Sequence, residues 1–518
     1  MKGLWCLRIG QNHVLSSRLF SVARKPDFEV SRKERRKLYQ EERNVQKKDP
    51  IISCKNEDLN HYKGQSYGKF AVVPLASKGW LHRKSKGDFF EIKNYGEVQT
   101  RETSTDTSFQ SLGVPDEAIK VLEEMEINEP SPIQVDGIKH ILKGHNTLLA
   151  AETGSGKTFA YLLPLLKQIC TYQSTTPRQK MNSPYAIVIT PSRELADQIG
   201  ENAKLFSECL GINVEVVTGG KTKRMILSPT FKEIDILVAS IGALSKLITT
   251  GIYDISHVKH IVLDEADTLL DDSFNSKLLY LLHRFSFLPT TGAELQFQKP
   301  CVQISLVSAT IPTSMNEILG EAIPLDTVHR VTTKHLHCIQ PHVPQKFFRL
   351  GRSQKPAELL NLVKSSVQRR DPVLIFSNKT ATCDWISMFL KENGVKCSNL
   401  NGDMNYYFRL GKFREFQSGE VDVLSSTDMG SRGLDTVRVK HLLNYDFPIY
   451  MADYIHRCGR TGRYGSPENC HISHFVSGAL EIDLVQRIEL AVRRGEPLPN
   501  VNANIRRIME HRYNKNNL

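Results

Sequence analysis

The chain has 518 residues, of which 40% are hydrophobic and 24% charged, with a net charge of +12. At about 100–200 residues per domain, that is two or three folded units, and the composition excludes a collagen-like, coiled-coil or wholly disordered chain. No apolar run approaches the ~18–20 residues of a spanning helix, so no membrane span is expected.

The charge is unevenly spread. Residues 1–100 hold 21 Lys/Arg against 11 Asp/Glu, and the remainder holds 47 against 45. A basic leading segment suggests a polyanionic partner such as nucleic acid or a membrane surface. Beyond it, any contact with a polyanion must be local. The ten cysteines are scattered with no C-x-x-C pair. That pattern gives no zinc ribbon and reads as reduced thiols.

Residues 1–26 contain Lys2, Arg8, Arg18, Arg24 and Lys25, and no acidic residue precedes Asp27. With Leu4, Trp5, Leu7, Leu15, Leu19, Phe20 and several serines interleaved, this composition fits a mitochondrial transit peptide. The alternative is a basic tail. Residues 27–104 form a basic extension. Its charge run at 31–49 reads as a solvated helix or linker, as an RNA contact, or, at residues 31–37, as a nuclear signal. Lys78, Arg83, Lys84 and Lys86 alternate with Trp80, Phe89 and Phe90. That segment could neutralise phosphate and stack on bases, or it could dock on the folded core.

From Ser108 onward, short β-rich runs alternate with helical ones. The runs are Thr147–Ala150, Tyr185–Thr190, Ile234–Ala239, His260–Leu263 and Val302–Val307, then Pro372–Phe376, Val421–Ser425 and Lys440–Asn444. This alternation predicts an α/β architecture of parallel sheets covered by helices. Two such units are expected, at 105–335 and 346–500, with a polar linker at 336–345 and a tail at 501–518.

Ala151-Glu152-Thr153-Gly154-Ser155-Gly156-Lys157-Thr158 lies between a strand and a helix. Gly154 and Gly156 let backbone N–H groups turn toward phosphate oxygens at a helix N-terminus. Lys157 would reach the β- and γ-phosphates, and Thr158 would ligate Mg²⁺. Position 151 is Ala where the general motif has Gly. Asp264-Glu265-Ala266-Asp267 follows an apolar strand, which puts carboxylates at the C-terminal edge of the same sheet. Asp264 can hold Mg²⁺, and Glu265 can polarise the attacking water.

These two motifs resemble the DEAD-box RNA helicases, whose phosphate loop begins with Ala. The resemblance implies two tandem RecA-like domains that bind ATP and Mg²⁺, hydrolyse ATP and remodel RNA. Phe109 and Gln134, in Pro130-Ser-Pro-Ile-Gln134, resemble the adenine-reading Q motif. Pro191, Ser192 and Arg193, with Gly219 and Gly220, look like RNA-backbone contacts. Ser240, Gly242 and Thr427 would join them. Ser308-Ala309-Thr310 looks like the element that couples ATP state to unwinding. The stretch Thr427–Asp435 resembles motif V, in which Gly433 and Asp435 would contact the nucleotide. His456–Arg463 resembles motif VI, in which Arg460 and Arg463 would reach across the domain gap and His456 would connect with Ser308-Ala309-Thr310.

Three departures stand out. The family's T-P-G-R is Ser240-Ile-Gly-Ala243, which loses an arginine. Asn401-Gly-Asp403 replaces a more usual H-G-D, and Tyr406 stands where Gln is common before Arg409. Pro74–Lys84 lies outside the core and resembles the extension of mitochondrial members tied to assembly of the large mitoribosomal subunit. The resemblance therefore implies mitochondrial large-subunit rRNA, that subunit and its assembly factors as partners. It also implies residence in RNA granules of the matrix, a nuclear pool as a second site, and a core acting as a monomer.

Overall fold

The computed structural model describes residues 51–501 except 69, 96–106, 176–179, 221, 272, 288–300, 313–314, 432–435 and 464–465. The presequence-like start, the charge run, nearly all of the tail, Gly433 and Asp435 lie outside the described residues.

The strands, in chain order, begin with β1 (Ile52–Cys54) and β2 (Phe89–Ile92). Then come β3 (Thr147–Ala150), β4 (Ala186–Thr190), β5 (Val214–Val217), β6 (Ile236–Ser240), β7 (His260–Asp264), β8 (Ser286–Phe287), β9 (Cys301–Ser308) and β10 (His329–Thr332). The last group is β11 (Gln345–Arg349), β12 (Val373–Ser377), β13 (Cys397–Leu400), β14 (Val423–Thr427), β15 (His441–Asn444) and β16 (His471–Val476).

The first sheet has the order β10-β3-β9-β7-β4-β6-β5, with β8 beside β9, and its pairings are parallel. Its central strands are buried on both faces. Ala186-Ile-Val-Ile-Thr190 has no exposed position, as expected where helices cover both sides. The second sheet runs β1-β2-β11-β16-β15-β12-β14-β13. It is parallel from β11 onward, while β1 and β2 add antiparallel at its edge. These are the two α/β units read from the alternation of runs. Among the described residues no helix is long and apolar enough to cross a membrane, and the eight cysteines whose side chains are described are free thiols.

The extension is where the sequence left two readings open. The structure docks it on the second domain. Trp80 and Phe90 are buried, with ring centroids 5.5 Å apart, and Phe90 stacks on Phe347 of β11 at 4.6 Å. The aromatics therefore fill a core and do not face outward to stack on bases. Glu489, in the helix Ala479–Arg494, accepts the Ala76 and Ser77 amides at 2.8 and 3.0 Å and the Ser77 hydroxyl at 2.6 Å. Arg493 pairs with Glu489 at 2.8 Å and donates to the Leu59 carbonyl at 2.7 Å. A buried charge needs partners, and this pair finds them in the extension.

Glu489→Ala should therefore destabilise the chain by about 3–5 kcal/mol, because it leaves Arg493 buried without its carboxylate. Trp80→Ala should cost about as much through the cavity it opens. Urea denaturation of the full chain measures both. Losses under about 1 kcal/mol would mean that the extension merely lies on the surface.

Candidate active site

In a parallel sheet the C-terminal strand ends share one edge, and ligands gather there. In the first sheet β9 lies between β3 and β7. Ser308, ending β9, therefore sits between the phosphate loop after β3 and Asp264, which ends β7.

Gly154 and Gly156 have φ of +83° and +87°, a region that glycine enters without a Cβ penalty. The loop is held from below by the helix Pro132–Leu142. The Ser131 hydroxyl donates to the Ser155 carbonyl at 2.8 Å, and Gln134 Nε2 donates to the Gly156 carbonyl at 3.0 Å. Gln134 Oε1 accepts the Ser131 amide at 2.8 Å. Gln134 is buried, and its amide braces the loop. Phe109 likewise packs into the first domain's core. Lys157 donates to the Ala151 and Glu152 carbonyls, both at 2.7 Å. Thr333, just beyond β10, donates to the Glu152 carboxylate at 2.9 Å.

Asp264 accepts the Tyr161 hydroxyl and the Glu265 amide, each at 2.8 Å. Burial pushes its carboxyl up to about 6. Burial also brings the Lys157 amine down to about 8, against the attraction of Asp264 and Glu152. Glu265 has φ +49° and ψ +51°, a strained conformation for a residue with a Cβ, of a kind that gathers at functional sites. Its Oε2 is buried without a hydrogen-bond partner among the described residues.

The second domain supplies the rest. The Thr153 hydroxyl donates to the Gly459 carbonyl at 3.1 Å. Arg460 approaches Glu265 at 3.8 Å. Arg463 lies against Gly154, where an added Cβ would stand 3.1 Å from the Arg463 chain. His456, in the helix Met451–Cys458, donates to Asp267 at 2.9 Å. The Thr310 amide and hydroxyl donate to the same carboxylate oxygen at 3.1 and 2.5 Å. Burial opposes charge on both partners. Even so, the pairing raises His456 above its ordinary value and holds Asp267 far below the carboxylate range.

The other expected residues of the first domain line the same edge. Ser192 caps the helix Arg193–Leu205 by accepting the Leu195 amide at 3.2 Å. It follows Pro191 at the end of β4. Ser240 ends β6, opposite Thr190 of β4. Gly219 and Gly220 follow β5, and the Arg193 guanidinium packs on Gly219. Nothing crowds Gly242 within 4 Å of an added Cβ. Ala243, standing where the family has Arg, is buried in the first domain's core. Thr427, ending β14 in the second domain, accepts the Gly430 amide at 3.3 Å. Across the domains, Arg409 pairs with Glu194 and Tyr406 donates to Asp197.

Sequence reasoning missed four contributors. Asp267 had no role assigned, although the fourth letter of its motif was visible. Thr333 and Tyr161 carry no local signal. Arg457, inside motif VI, is buried and grips Asp428 at 2.6 and 2.7 Å, which fixes the two motifs of the second domain to each other.

Residues 131–318 match the family profile "DEAD/DEAH box helicase", and residues 354–465 match "Helicase conserved C-terminal domain". The chain belongs to the DEAD/DEAH-box helicases. It is 36% identical to the Mus musculus and Homo sapiens proteins named "Probable ATP-dependent RNA helicase DDX28", with 88% of this chain and 86% of each relative covered. It is 31% identical to the RhlB helicase of Shewanella frigidimarina over 69% of this chain and 79% of that relative. A variant of S. cerevisiae Dbp5 bound to RNA and ADP BeF3 superposes with a TM-score of 0.60 at 25% identity, covering 75% of this chain and 94% of that one. Mss116p, at 23% identity and a TM-score of 0.63 over 77% of this chain and 80% of its own, shares the fold. The family's members are ATP-hydrolysing enzymes that act on RNA, and this chain is an ATP-dependent RNA helicase built on two RecA-like domains.

The two shifted groups set a pH window for the free protein. A proton on Asp264 competes with a cation below about pH 6, and Lys157 loses its charge above about pH 8. The kcat/KM for ATP should therefore fall on both sides of that window, since this ratio reports groups of the free enzyme. A profile flat from about pH 5 to about pH 9 at saturating RNA, ~1 unit outside each limit, would remove both groups from nucleotide binding.

Proposed function

We propose that ATP binds between the phosphate loop and motif VI, and that its hydrolysis releases a closed grip on RNA. The observation carrying this reading is Glu265. It is strained, holds one buried carboxylate oxygen without a hydrogen-bond partner among the described residues, and faces Arg460 from the other domain. Glu265 would orient the attacking water, and Lys157 would bind the β- and γ-phosphates. Arg460 and Arg463 would meet the charge that spreads over the γ-phosphate oxygens, a contribution of ~10³–10⁵ in rate for an arginine finger. Thr158 and Asp264 suit Mg²⁺, because Asp264 is a buried carboxylate whose charge is not fully compensated. Bound there, Mg²⁺ would neutralise phosphate charge.

Pro191, Ser192, Arg193, Gly219, Gly220, Ser240, Gly242 and Thr427 would hold the RNA backbone along the neighbouring strand ends. Such contacts position RNA without reading its sequence. His456 and Thr310, meeting on Asp267, would transmit closure to Ser308-Ala309-Thr310. The substrate we infer is mitochondrial large-subunit rRNA during assembly of the large mitoribosomal subunit. Support comes from the acid-free basic start at 1–26 and from Pro74–Lys84, which resembles the extension of mitochondrial members. An ATP-gated clamp with little unwinding is the second reading. Buried Ala243, in place of an arginine, favours it by removing one cation from the RNA edge.

Lys157→Ala should abolish RNA-stimulated ATP turnover. Retained turnover would displace the site. Glu265→Gln should bind ATP and RNA but hydrolyse slowly, which traps the closed state. Crosslinking that variant in isolated mitochondria and sequencing the RNA should enrich large-subunit rRNA. Enrichment of nuclear RNA alone would discard the organelle and leave the chemistry intact. Strand-release assays separate the two readings, since ATP turnover without duplex release would establish the clamp.

A further inference from the structure

Three histidines meet at the end of the first sheet opposite the phosphate loop. His140 lies in the last turn of the helix Pro132–Leu142, His145 lies in the loop that leads into β3, and His329 opens β10. One ring nitrogen of each lies within 4.8 Å of the other two, and all three side chains are half-buried. The Nδ1 atoms of His140 and His145 are 3.1 Å apart. Nothing in the ATP or RNA reading uses these residues.

We propose that His140, His145 and His329 form a binding site for a divalent transition-metal ion, with Zn²⁺ the foremost candidate. Tetrahedral Zn²⁺ has Zn–N arms of about 2.0–2.1 Å, which places neighbouring ligand nitrogens about 3.3 Å apart. The His140–His145 pair already stands near that separation. The ring of His329 stacks on those of His145 and His140, with centroids at 4.2 and 4.9 Å. A side-chain rotation at this edge strand would turn its nitrogen toward the other two. An all-imidazole set suits Zn²⁺, Cu²⁺ or Ni²⁺ and not Mg²⁺ or Ca²⁺, which take oxygen ligands. Three histidines leave a fourth position for water.

The backbone around the cluster is already fixed. The His145 amide donates to the His140 carbonyl at 3.2 Å, and the His329 amide donates to the Asn146 carbonyl at 2.8 Å. Gln303 donates to the His145 carbonyl at 2.7 Å, and Asn146 donates to Thr327 at 3.0 Å. Little ordering remains for a metal to impose. Ligand imidazoles must be neutral. Burial, with His329 and Lys143 nearby, holds His140 and His145 below the ordinary value, while Asp136 acts oppositely on His140. Lys143 opposes a cation, and Asp136, four residues before His140, offsets it.

The site has a mechanical consequence. The helix that carries His140 begins at Ser131 and Gln134, which hold the phosphate loop. The strand that begins with His329 leads to Thr333, which holds Glu152 of the same loop. A metal would clip together both supports of that loop from the far side of the sheet.

The test uses the full chain without a polyhistidine tag, stripped with a chelator and kept free of nucleotide. Zn²⁺ is titrated against a chromophoric chelator, Co²⁺ binding is followed by visible absorption, and melting is recorded with and without Zn²⁺. One Zn²⁺ equivalent is expected, with tetrahedral Co²⁺ bands that lack thiolate charge transfer, and the melting temperature should rise. His145→Ala and His329→Gln should each weaken that equivalent by about 100-fold, the loss typical of metal-site disruption, and should abolish the rise while circular dichroism stays unchanged. Absence of the equivalent, its survival in the double variant, or a thiolate Co²⁺ spectrum would each overturn the site. The Co²⁺ spectrum of the unmodified chain decides the matter even if the variants fail to fold.

Discussion

A buried carboxylate must be compensated, and Asp267 obtains its compensation from two places. Thr310 supplies hydrogen bonds from the end of β9, and His456 supplies charge from the other domain. If His456 moves away, Asp267 loses the only ionic partner described for it, and the cost of an unpaired buried charge rises steeply. Domain closure is thus built into the electrostatics of the first domain. Arg460, four residues after His456 in the chain, is carried to Glu265 by the same approach. The His456–Asp267 pair and the Arg460–Glu265 approach thus stand on one short segment of the second domain.

The parallel sheet explains why these events stay close together. Its strand ends lie in the order β3, β9, β7, β4, β6 and β5, and each end carries one element of the machinery. The phosphate loop, Ser308-Ala309-Thr310, the carboxylates after β7 and the segments proposed to hold RNA form a single row. A displacement at Ser308-Ala309-Thr310 therefore has neighbours on both sides and needs no long path. Interfaces of this kind have discrete arrangements and amplify small shifts.

Much of this was legible in the sequence, for a physical reason. Strands buried on both faces write themselves as continuous apolar runs, so β4, β7 and β9 could be placed to within two residues. Phosphate loops and carboxylate pairs need particular residue types at fixed spacing. What escaped was nonlocal. β1 and β2 are too short to show periodicity, and their place beside β11 depends on a core formed with residues about 250 positions away. Trp80 and Phe90 alternate with lysine and arginine as a nucleic-acid surface would, and only packing against Phe347 distinguishes the two. The roles of Tyr161 and Thr333 arise from contacts between distant segments, which no spacing rule encodes. Gln134 shows the converse. Its type and position were readable, but its partners, the Gly156 carbonyl on Nε2 and the Ser131 amide on Oε1, come from the loop and the helix cap together.

The departures from the family pattern fall on one side of the site. The ATP edge retains its glycines, lysine, carboxylates and arginines, while the changes at Ala243, Asn401 and Tyr406 lie away from it. Asn401 turns its amide to Asp384 at 2.9 Å, which keeps a loop of the second domain in place. Tyr406 bonds Asp197, and its ring lies 6.0 Å below the Arg193 guanidinium. An aromatic face near a cation holds it by the ring quadrupole, so Arg193 is fixed by Gly219 on one side and by the other domain on the second. The arginine absent at position 243 is thus not replaced by another cation. Instead, a remaining cation, Arg193, is held between Gly219 and the Tyr406 ring of the other domain. A phosphate contact that exists only in the closed state contributes differentially to that state, and only a differential contact can shift the equilibrium between states. On the proposed RNA reading, losing a constitutive cation while holding Arg193 from the second domain would tie the remaining grip more closely to domain closure.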